Sequence, residues 1–131
     1  MLATRAGEKD LFEGVNEPAD PSNLSDLERM HLPVIQAPAT VTQGRPFEVA
    51  IEVGELLPHP SEPHHFIQFV ELWVDATFLA RIDLTADRSL PKVRLRILLR
   101  HPAQELRARA RCNLHGVWMA RKRISVERLT P

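Results

Sequence analysis

Residues 47–53 read Phe-Glu-Val-Ala-Ile-Glu-Val, and their alternation decides the fold of the chain. Large apolar side chains stand at every second position, namely Phe47, Val49, Ile51 and Val53. Successive side chains of a β-strand point to opposite faces of its sheet. The period of two therefore predicts a strand with one buried face, and Gly44-Arg45-Pro46 supplies a turn before it.

The same period recurs along the rest of the chain. It predicts further strands over residues 66–74, 78–84, 93–99, 106–112 and 117–126, with almost no helical periodicity between them. About seven short strands joined by turns are typical of an immunoglobulin-like antiparallel β-sandwich, so we expect an all-β fold. Cys112 belongs to the inward register of its strand and ends it. We expect its sulfur to emerge at the rim, where strand gives way to loop.

The N-terminal residues differ in character from the rest. Residues 1–26 are polar, and two prolines and two asparagines give them turn-forming chemistry with little periodicity. We expect them to form an extended, non-regular arm that lies on the domain or on a partner subunit. Residues 27–131 should form one β-sandwich domain, because a chain of this length suffices for one core. Ser25 and Glu28 have the spacing of a capping box, which predicts one helical turn ending near Met30.

Composition and charge exclude several classes of protein. Lys and Arg total 17 and Asp and Glu also total 17, so the chain has no net charge that would favour binding to nucleic acid or to an anionic membrane. No stretch approaches the roughly 18 apolar residues of a membrane span, and the N-terminus turns charged before a signal peptide could form. We therefore expect a cytoplasmic protein. The single cysteine excludes an internal disulfide and any Cys-x-x-Cys metal knot.

The histidines are the most informative polar residues. Of the six, all but His101 lie in segments that resemble loops: His31, His59, His64, His65 and His115. Taken singly, each is explained as a surface residue, and a lone cysteine as a small buried hydrophobe. Taken together, they offer imidazole and thiolate ligands for a transition metal, which loops at one end of a sandwich can gather. The set has too many nitrogens for structural zinc and lacks the pattern of blue copper, whereas five ligands and one open position suit a redox iron.

Four motifs, in order, resemble the signature of superoxide reductases of the desulfoferrodoxin and neelaredoxin type. They are Met30-His31-Leu32-Pro33-Val34-Ile35, His59-Pro60, the run from His65 to Leu72, and Cys112-Asn113-Leu114-His115-Gly116-Val117-Trp118. The resemblance as a whole spans roughly residues 28–126. The resemblance implies one iron per chain, with four histidines around a plane and a cysteine below: His31, His59, His65, His115 and Cys112. Spacing from His59 and from Glu71 selects His65 over His64, which we expect to face water.

The resemblance also implies a reaction and partners. In this family ferrous iron gives one electron to superoxide, and two protons then release hydrogen peroxide. A thiolate ligand pushes electron density toward the substrate, and hydrogen bonds to sulfur, with the N–H groups of Leu114 and His115 as candidates, tune that effect. Two-iron members carry a further rubredoxin-like centre with four cysteines, so here we expect an external donor such as a rubredoxin-like protein. One-iron members commonly form tetramers or dimers, and we expect a homo-oligomer.

One position departs from the family pattern. Many members carry Glu-Lys before the first histidine ligand, where the lysine steers the anion, whereas Met30 stands there in this chain. We assign part of the steering role to Arg29, the nearest cation, with Glu28 as the nearest carboxylate, although Arg29 as a plain surface residue is the competing interpretation. Two further alternatives stay open. One is a divergent member that binds iron or another metal for electron transfer or sensing, with little superoxide reductase activity; the other is an immunoglobulin-like interaction module without a metal.

Overall fold

The computed structural model describes residues 10–129, which form an all-β sandwich with one short helix. The strands are β1 Val15–Asn16, β2 Val34–Gln36, β3 Thr40–Thr42, β4 Phe47–Glu52, β5 Ile67–Val74, β6 Thr77–Asp83, β7 Lys92–Ile97, β8 Glu105–Cys112, β9 Gly116–Arg123 and β10 Ser125–Glu127; the helix is α1 Asp26–His31. The predictions for residues 1–9 of the arm and for residues 130–131 of the domain lie outside the described residues.

Three sheets make up the sandwich. The five-stranded sheet has the order β1-β9-β8-β5-β6 and is antiparallel except where β1 joins β9 in parallel. The three-stranded sheet β2-β4-β7 is antiparallel throughout, and β10 pairs with β3 in parallel. The antiparallel sandwich that the alternation predicts is therefore confirmed.

The core lies between the inner faces of the two larger sheets. Strand β8 buries every second residue, in the register predicted for it, and the buried set ends at Cys112, whose side chain is fully enclosed. The largest enclosed apolar side chains of the shared cluster are Val49 and Ile51 of β4, Val70 and Leu72 of β5, and Leu106 of β8. Each such burial stabilises the fold by about 1.5–3 kcal/mol, so the sheets hold the end of β8 rigidly.

The single described helix begins with the predicted capping box. The Ser25 hydroxyl accepts the N–H of Glu28, and the Glu28 carboxylate accepts the N–H of Ser25. The helix ends at His31, one residue beyond the predicted end, and Pro33 then prevents its continuation. Within residues 10–129, no helix has the length and apolar character that a membrane crossing requires.

The structure has ten strands where about seven were predicted, and four of the ten are short strands that the alternation did not identify as separate elements. β1, β2, β3 and β10 contain two or three residues each, too few to show alternation. The predicted strand 117–126 divides at Ile124, whose buried side chain enters the core while its N–H donates to Gln104, and the chain then passes to another sheet. β1 falls inside the predicted arm, and the division into residues 1–26 and 27–131 stays a prediction.

Candidate metal centre

Three parts of the chain bring imidazole and thiol groups together at one end of the sandwich. They are the end of α1, the loop between β4 and β5, and the end of β8. The ligand atoms of His31, His59, His65 and Cys112 all lie within 4.8 Å of one another. Four of the five residues predicted as metal ligands therefore form one tight cluster.

Helix α1 supplies His31, which is completely buried. Its Nδ1 lies 2.8 Å from the carbonyl oxygen of Leu27, one turn earlier in the same helix. An Nδ1–H that donates to this oxygen leaves the lone pair of Nε2 facing the cluster. Burial lowers the pKa of His31, so the ring is neutral near pH 7.

A tight loop after β4 presents His59 to the cluster. Gly54 has φ +95°, and a Cβ on it would lie 2.9 Å from the backbone nitrogen of His59, so the loop closes on itself only with glycine there. The Nδ1 of His59 lies 2.7 Å from the carbonyl oxygen of Pro60, which directs Nε2 inward. Burial lowers the pKa of His59 to about 4, and the hydrogen bond to Pro60 opposes this effect.

The next two histidines face different ways. The ring of His65 lies 4.6 Å from that of His59 and 5.1 Å from that of His115, between centroids. His64 is exposed to solvent. The backbone of His65 exchanges two hydrogen bonds with Glu62, which fixes the short turn that carries it. The choice of His65 over His64 as a ligand stays a prediction.

The turn after β8 holds the sulfur atom of Cys112. Backbone N–H groups of Leu114 and His115, the two donors predicted from the sequence, both donate to this sulfur. Burial raises the pKa of the Cys112 thiol, and the two N–H donors partly offset that increase. Binding of a metal by this thiol therefore requires loss of its proton.

Asn113 fastens this turn to the segment before β5. Its Oδ1 accepts the N–H of Phe66 at 2.9 Å, and its Nδ2 donates to the carbonyl of His64 at 3.0 Å. Its backbone N–H donates to the carbonyl of Phe66. One asparagine thus sets the position of the turn with Cys112 relative to the segment with His65.

His115 stands at the side of the cluster. Its Nδ1 lies 3.5 Å from the sulfur of Cys112, and its ring centroid lies 4.8 Å from that of His31. The Nε1–H of Trp118 donates to the carbonyl of His115 at 2.9 Å. Since Nδ1 lies this close to the sulfur, His115 can join the donor set through that nitrogen. Burial, followed by the charge of His65, lowers the pKa of His115 and favours its neutral form.

The chemistry of these donors suits a transition metal. The Nε2 atoms of His31, His59 and His65 are buried and have no hydrogen-bond partner among residues 10–129. An unpartnered buried polar atom costs about 1–3 kcal/mol, and three of them converge beside one thiol. A metal ion bound by these lone pairs would remove that cost, so the residues present fit a metal of the kind that imidazole and thiolate prefer.

Comparison with known proteins identifies the family of this chain. The family model for desulfoferrodoxin matches residues 23–121. The chain belongs to the desulfoferrodoxin family. A superoxide reductase of Pyrococcus abyssi is 31% identical over 96 residues, which cover 67% of this chain and 81% of that protein. A Methanocaldococcus jannaschii protein provisionally assigned as a superoxide reductase is 39% identical over 108 residues, covering 79% of this chain and 89% of that protein.

Solved structures agree with this assignment. The superoxide reductase (neelaredoxin) from Ignicoccus hospitalis superposes with a TM-score of 0.75 at 32% identity, covering 86% of this chain and 95% of that one. The predicted resemblance to the superoxide reductase family is therefore confirmed. The desulfoferrodoxin match contains all five predicted ligands, whereas β1 lies before it.

Arg29, the predicted steering cation, and Glu28, the nearest carboxylate, are not part of the ligand cluster of this desulfoferrodoxin-family chain. Beyond its role in the capping box, the carboxylate of Glu28 accepts the N–H of Ala19 at 3.0 Å, which ties the helix to the preceding segment. The guanidinium of Arg29 donates to the carbonyl of Leu56 at 3.4 Å and lies 3.7 Å from the carboxylate of Asp26. Arg29 therefore links α1 to the loop that carries His59, and its steering role stays a prediction.

Proposed function

We propose that this desulfoferrodoxin-family protein is a superoxide reductase with one mononuclear non-haem iron per chain. The proposed ligands are His31, His59, His65, His115 and Cys112. The observation that carries the proposal is the convergence on a single enclosed sulfur of three buried Nε2 atoms that have no hydrogen-bond partner in the described part of the chain. Bound iron would supply the one electron that, together with two protons, converts superoxide into hydrogen peroxide.

The surroundings of each ligand prepare it for this role. Burial keeps His31, His59 and His115 neutral, so their lone pairs are available at neutral pH. The carbonyls of Leu27 and Pro60 orient two of the rings, as partners outside the ligand set commonly do at metal sites.

The sulfur of Cys112 has its own set of partners. Two backbone N–H groups donate to it and draw negative charge from the thiolate. Weaker electron donation from the thiolate favours release of intact peroxide over cleavage of its O–O bond. Hydrogen bonds at the sulfur therefore help to select the product.

Substrate and electrons would arrive from outside the chain. Superoxide is an anion, and the half-exposed guanidinium of Arg29 offers a positive charge beside the loop of His59. The protons would come from water. The proposed electron donor is a separate one-electron protein such as a rubredoxin-like protein, and the proposed active form is a tetramer or dimer. No role for nucleic acid or membrane is proposed. The cytoplasmic location stays a prediction.

We also propose that residues 1–26 act as an arm on the domain formed by residues 27–131. Pairing of Val15 and Asn16 with β9 supports an arm that lies on its own domain.

The experiment compares wild-type protein with Cys112→Ser after anaerobic loading with Fe²⁺. After oxidation with ferricyanide, the wild type is expected to show a broad long-wavelength thiolate-to-iron band that the variant lacks. Reduced wild type is then mixed with superoxide by pulse radiolysis. One hydrogen peroxide per superoxide consumed indicates reduction, whereas one per two indicates dismutation. Absence of the band from both proteins would contradict the five-ligand site.

A second candidate function rests on Met30, which carries no charge where many family members have lysine. A divergent member would bind iron or another metal for electron transfer or sensing and react little with superoxide. Full iron content and the expected absorption band, combined with a negligible rate of superoxide consumption, would favour this function over the first.

A further inference from the structure

The segment that precedes α1 lies directly on the turn that carries His115. Gly116 is buried with φ +80°, and a Cβ on it would come within 2.1 Å of the carbonyl oxygen of Leu11. No side chain can occupy this place while the segment stays where it is. The backbone around Leu11 is therefore packed against the residue that follows a proposed ligand.

One buried side chain fixes this contact. Asn16 is completely enclosed, and its Nδ2 donates to the carbonyl of Leu11 at 2.8 Å and to the carbonyl of Val117 at 2.9 Å. The first bond closes a loop within the N-terminal segment, and the second joins that loop to β9. Because both carbonyls are bound by the same amide, the segment and the strand are held in one relative position.

Val117 lies between His115, which is a proposed ligand, and Trp118, which packs on another proposed ligand. On one side is His115, whose carbonyl accepts the Nε1–H of Trp118. On the other side is Trp118 itself, whose indole stacks on the imidazole of His31 with centroids 5.1 Å apart and 21° between the planes. Any displacement of β9 at Val117 is therefore transmitted to the surroundings of two ligands from different parts of the chain.

We propose that Asn16 is a positioning residue for the metal centre, acting through Val117 on His115 and, by way of Trp118, on His31. The inference rests on the proposed function for the identity of the ligands. Asn16 lies before residue 23, where the desulfoferrodoxin match begins, so the family assignment does not cover this residue.

The test is a titration of metal-free protein with Co²⁺ under anaerobic conditions, followed by the thiolate-to-cobalt absorption band. Asn16→Ala removes both hydrogen bonds and is expected to raise the dissociation constant for Co²⁺ about tenfold and to shift the band, in line with partners outside the ligand set at other metal sites. Asn16→Asp keeps the size of the side chain but turns a carboxylate toward two carbonyl oxygens. It should impair binding at least as much.

Glu17→Ala is the matched control on the same segment. Glu17 forms an ion pair with Arg121 at 2.8 Å, so it also attaches the segment to β9, but beyond Trp118 and away from the ligands. Since exposed ion pairs contribute little to stability, the dissociation constant of Glu17→Ala for Co²⁺ should stay within about twofold of the wild-type value. Circular dichroism of the metal-free proteins checks that each variant is folded, and Asn16→Asp carries the test if Asn16→Ala is not.

Two results would overturn the proposal. One is a folded Asn16 variant with the Co²⁺ affinity and band of the wild type. The other is an equal loss in Glu17→Ala, which would mean that attachment of the segment in general, and not the Asn16 amide, controls the centre. Neither readout uses superoxide, so a protein that behaves as expected with Co²⁺ but does not reduce superoxide would refute the proposed function alone.

Discussion

Trp118 contacts His31 with the face of its indole and binds the backbone of His115 with its Nε1–H. The ring is almost completely buried, with 3% of its surface exposed. A single side chain therefore joins the C-terminal turn of α1 to the turn between β8 and β9, two places from which ligands are proposed to come. Because the two contacts use different parts of the indole, the effect of the hydrogen bond to His115 on the metal centre can be separated from the effect of ring packing on His31.

Trp118→Phe should change the electronic properties of the centre more than the fold. The variant keeps an aromatic ring against His31 but loses the donor to the His115 carbonyl and part of the buried ring, at a cost of about 1–3 kcal/mol in stability. We expect shifts in the iron reduction potential and in the thiolate-to-iron band. Trp73→Phe is the control, because its Nε1–H donates to Glu71 at 3.3 Å, outside the ligand cluster. Equal shifts in the two variants would contradict the prediction.

His65→Ala and His64→Ala form a matched pair one residue apart. His65 directs a buried Nε2 into the cluster, and this atom has no hydrogen-bond partner among the residues that the structure describes, whereas the side chain of His64 is exposed. Loss of a direct ligand should weaken metal binding by about 100-fold or more, beyond the effect of partners outside the ligand set. His64→Ala should leave the affinity for the metal unchanged. Iron content after equilibration with a competing chelator measures both, and iron retention by His65→Ala equal to that of wild type would remove this residue from the proposed ligand set.

Gly116→Ala should destabilise the metal-free protein far more than Gly14→Ala. Both glycines have positive φ, at +80° and +67°, so each alanine has the backbone cost of about 1–2 kcal/mol. Of the two, only the Cβ at position 116 also collides with Leu11, which adds about 1–3 kcal/mol of overpacking; apart from its adjacent residues, no atom of residues 10–129 lies within 4 Å of a Cβ at position 14. Urea unfolding measures the difference. Similar midpoints for the two variants would indicate that the segment around Leu11 moves aside freely.

Arg29→Gln should slow the second-order reaction with superoxide by about twofold to fivefold at low ionic strength, because one steering charge is lost. The dependence of the rate on salt should become weaker at the same time. Arg88→Gln is the control, since Arg88 is a highly exposed arginine paired with Asp87. Met30→Lys, which introduces a cation next to His31, should raise the rate. Unchanged rates in both Arg29→Gln and Met30→Lys would leave Arg29 with a structural role alone, through its contacts with Leu56 and Asp26.

The sequence allowed prediction of those features that depend on local pattern. Alternation identified the long strands and the inward register that ends at Cys112, and the spacing of Ser25 and Glu28 identified the helix start. The choice of His65 over His64 also followed from spacing within a motif, and it stays a prediction. In each case the residues that determine the feature are close together in the sequence, so the pattern can be read without knowledge of tertiary contacts.

Other features depend on contacts that no local pattern reveals. Asn16 stands in a turn-rich, polar segment and has the appearance of a surface residue, yet its burial follows from packing against β9, about one hundred residues later. The break at Ile124 likewise follows from a change of sheet. Asn113 and Trp118 were visible as members of a motif, but their partners across the centre were not.

The convergence of His31, His59, His65 and Cys112 also bears on how the protein resists unfolding. These residues come from stretches that lie near the beginning, in the middle and near the end of the described chain. A metal ion held by all of them would act as a reversible cross-link in a chain whose single cysteine offers no covalent one. Loading the centre would thus restrict the loops at that end of the sandwich and protect them from proteases, so that folding and metal supply become one coupled equilibrium.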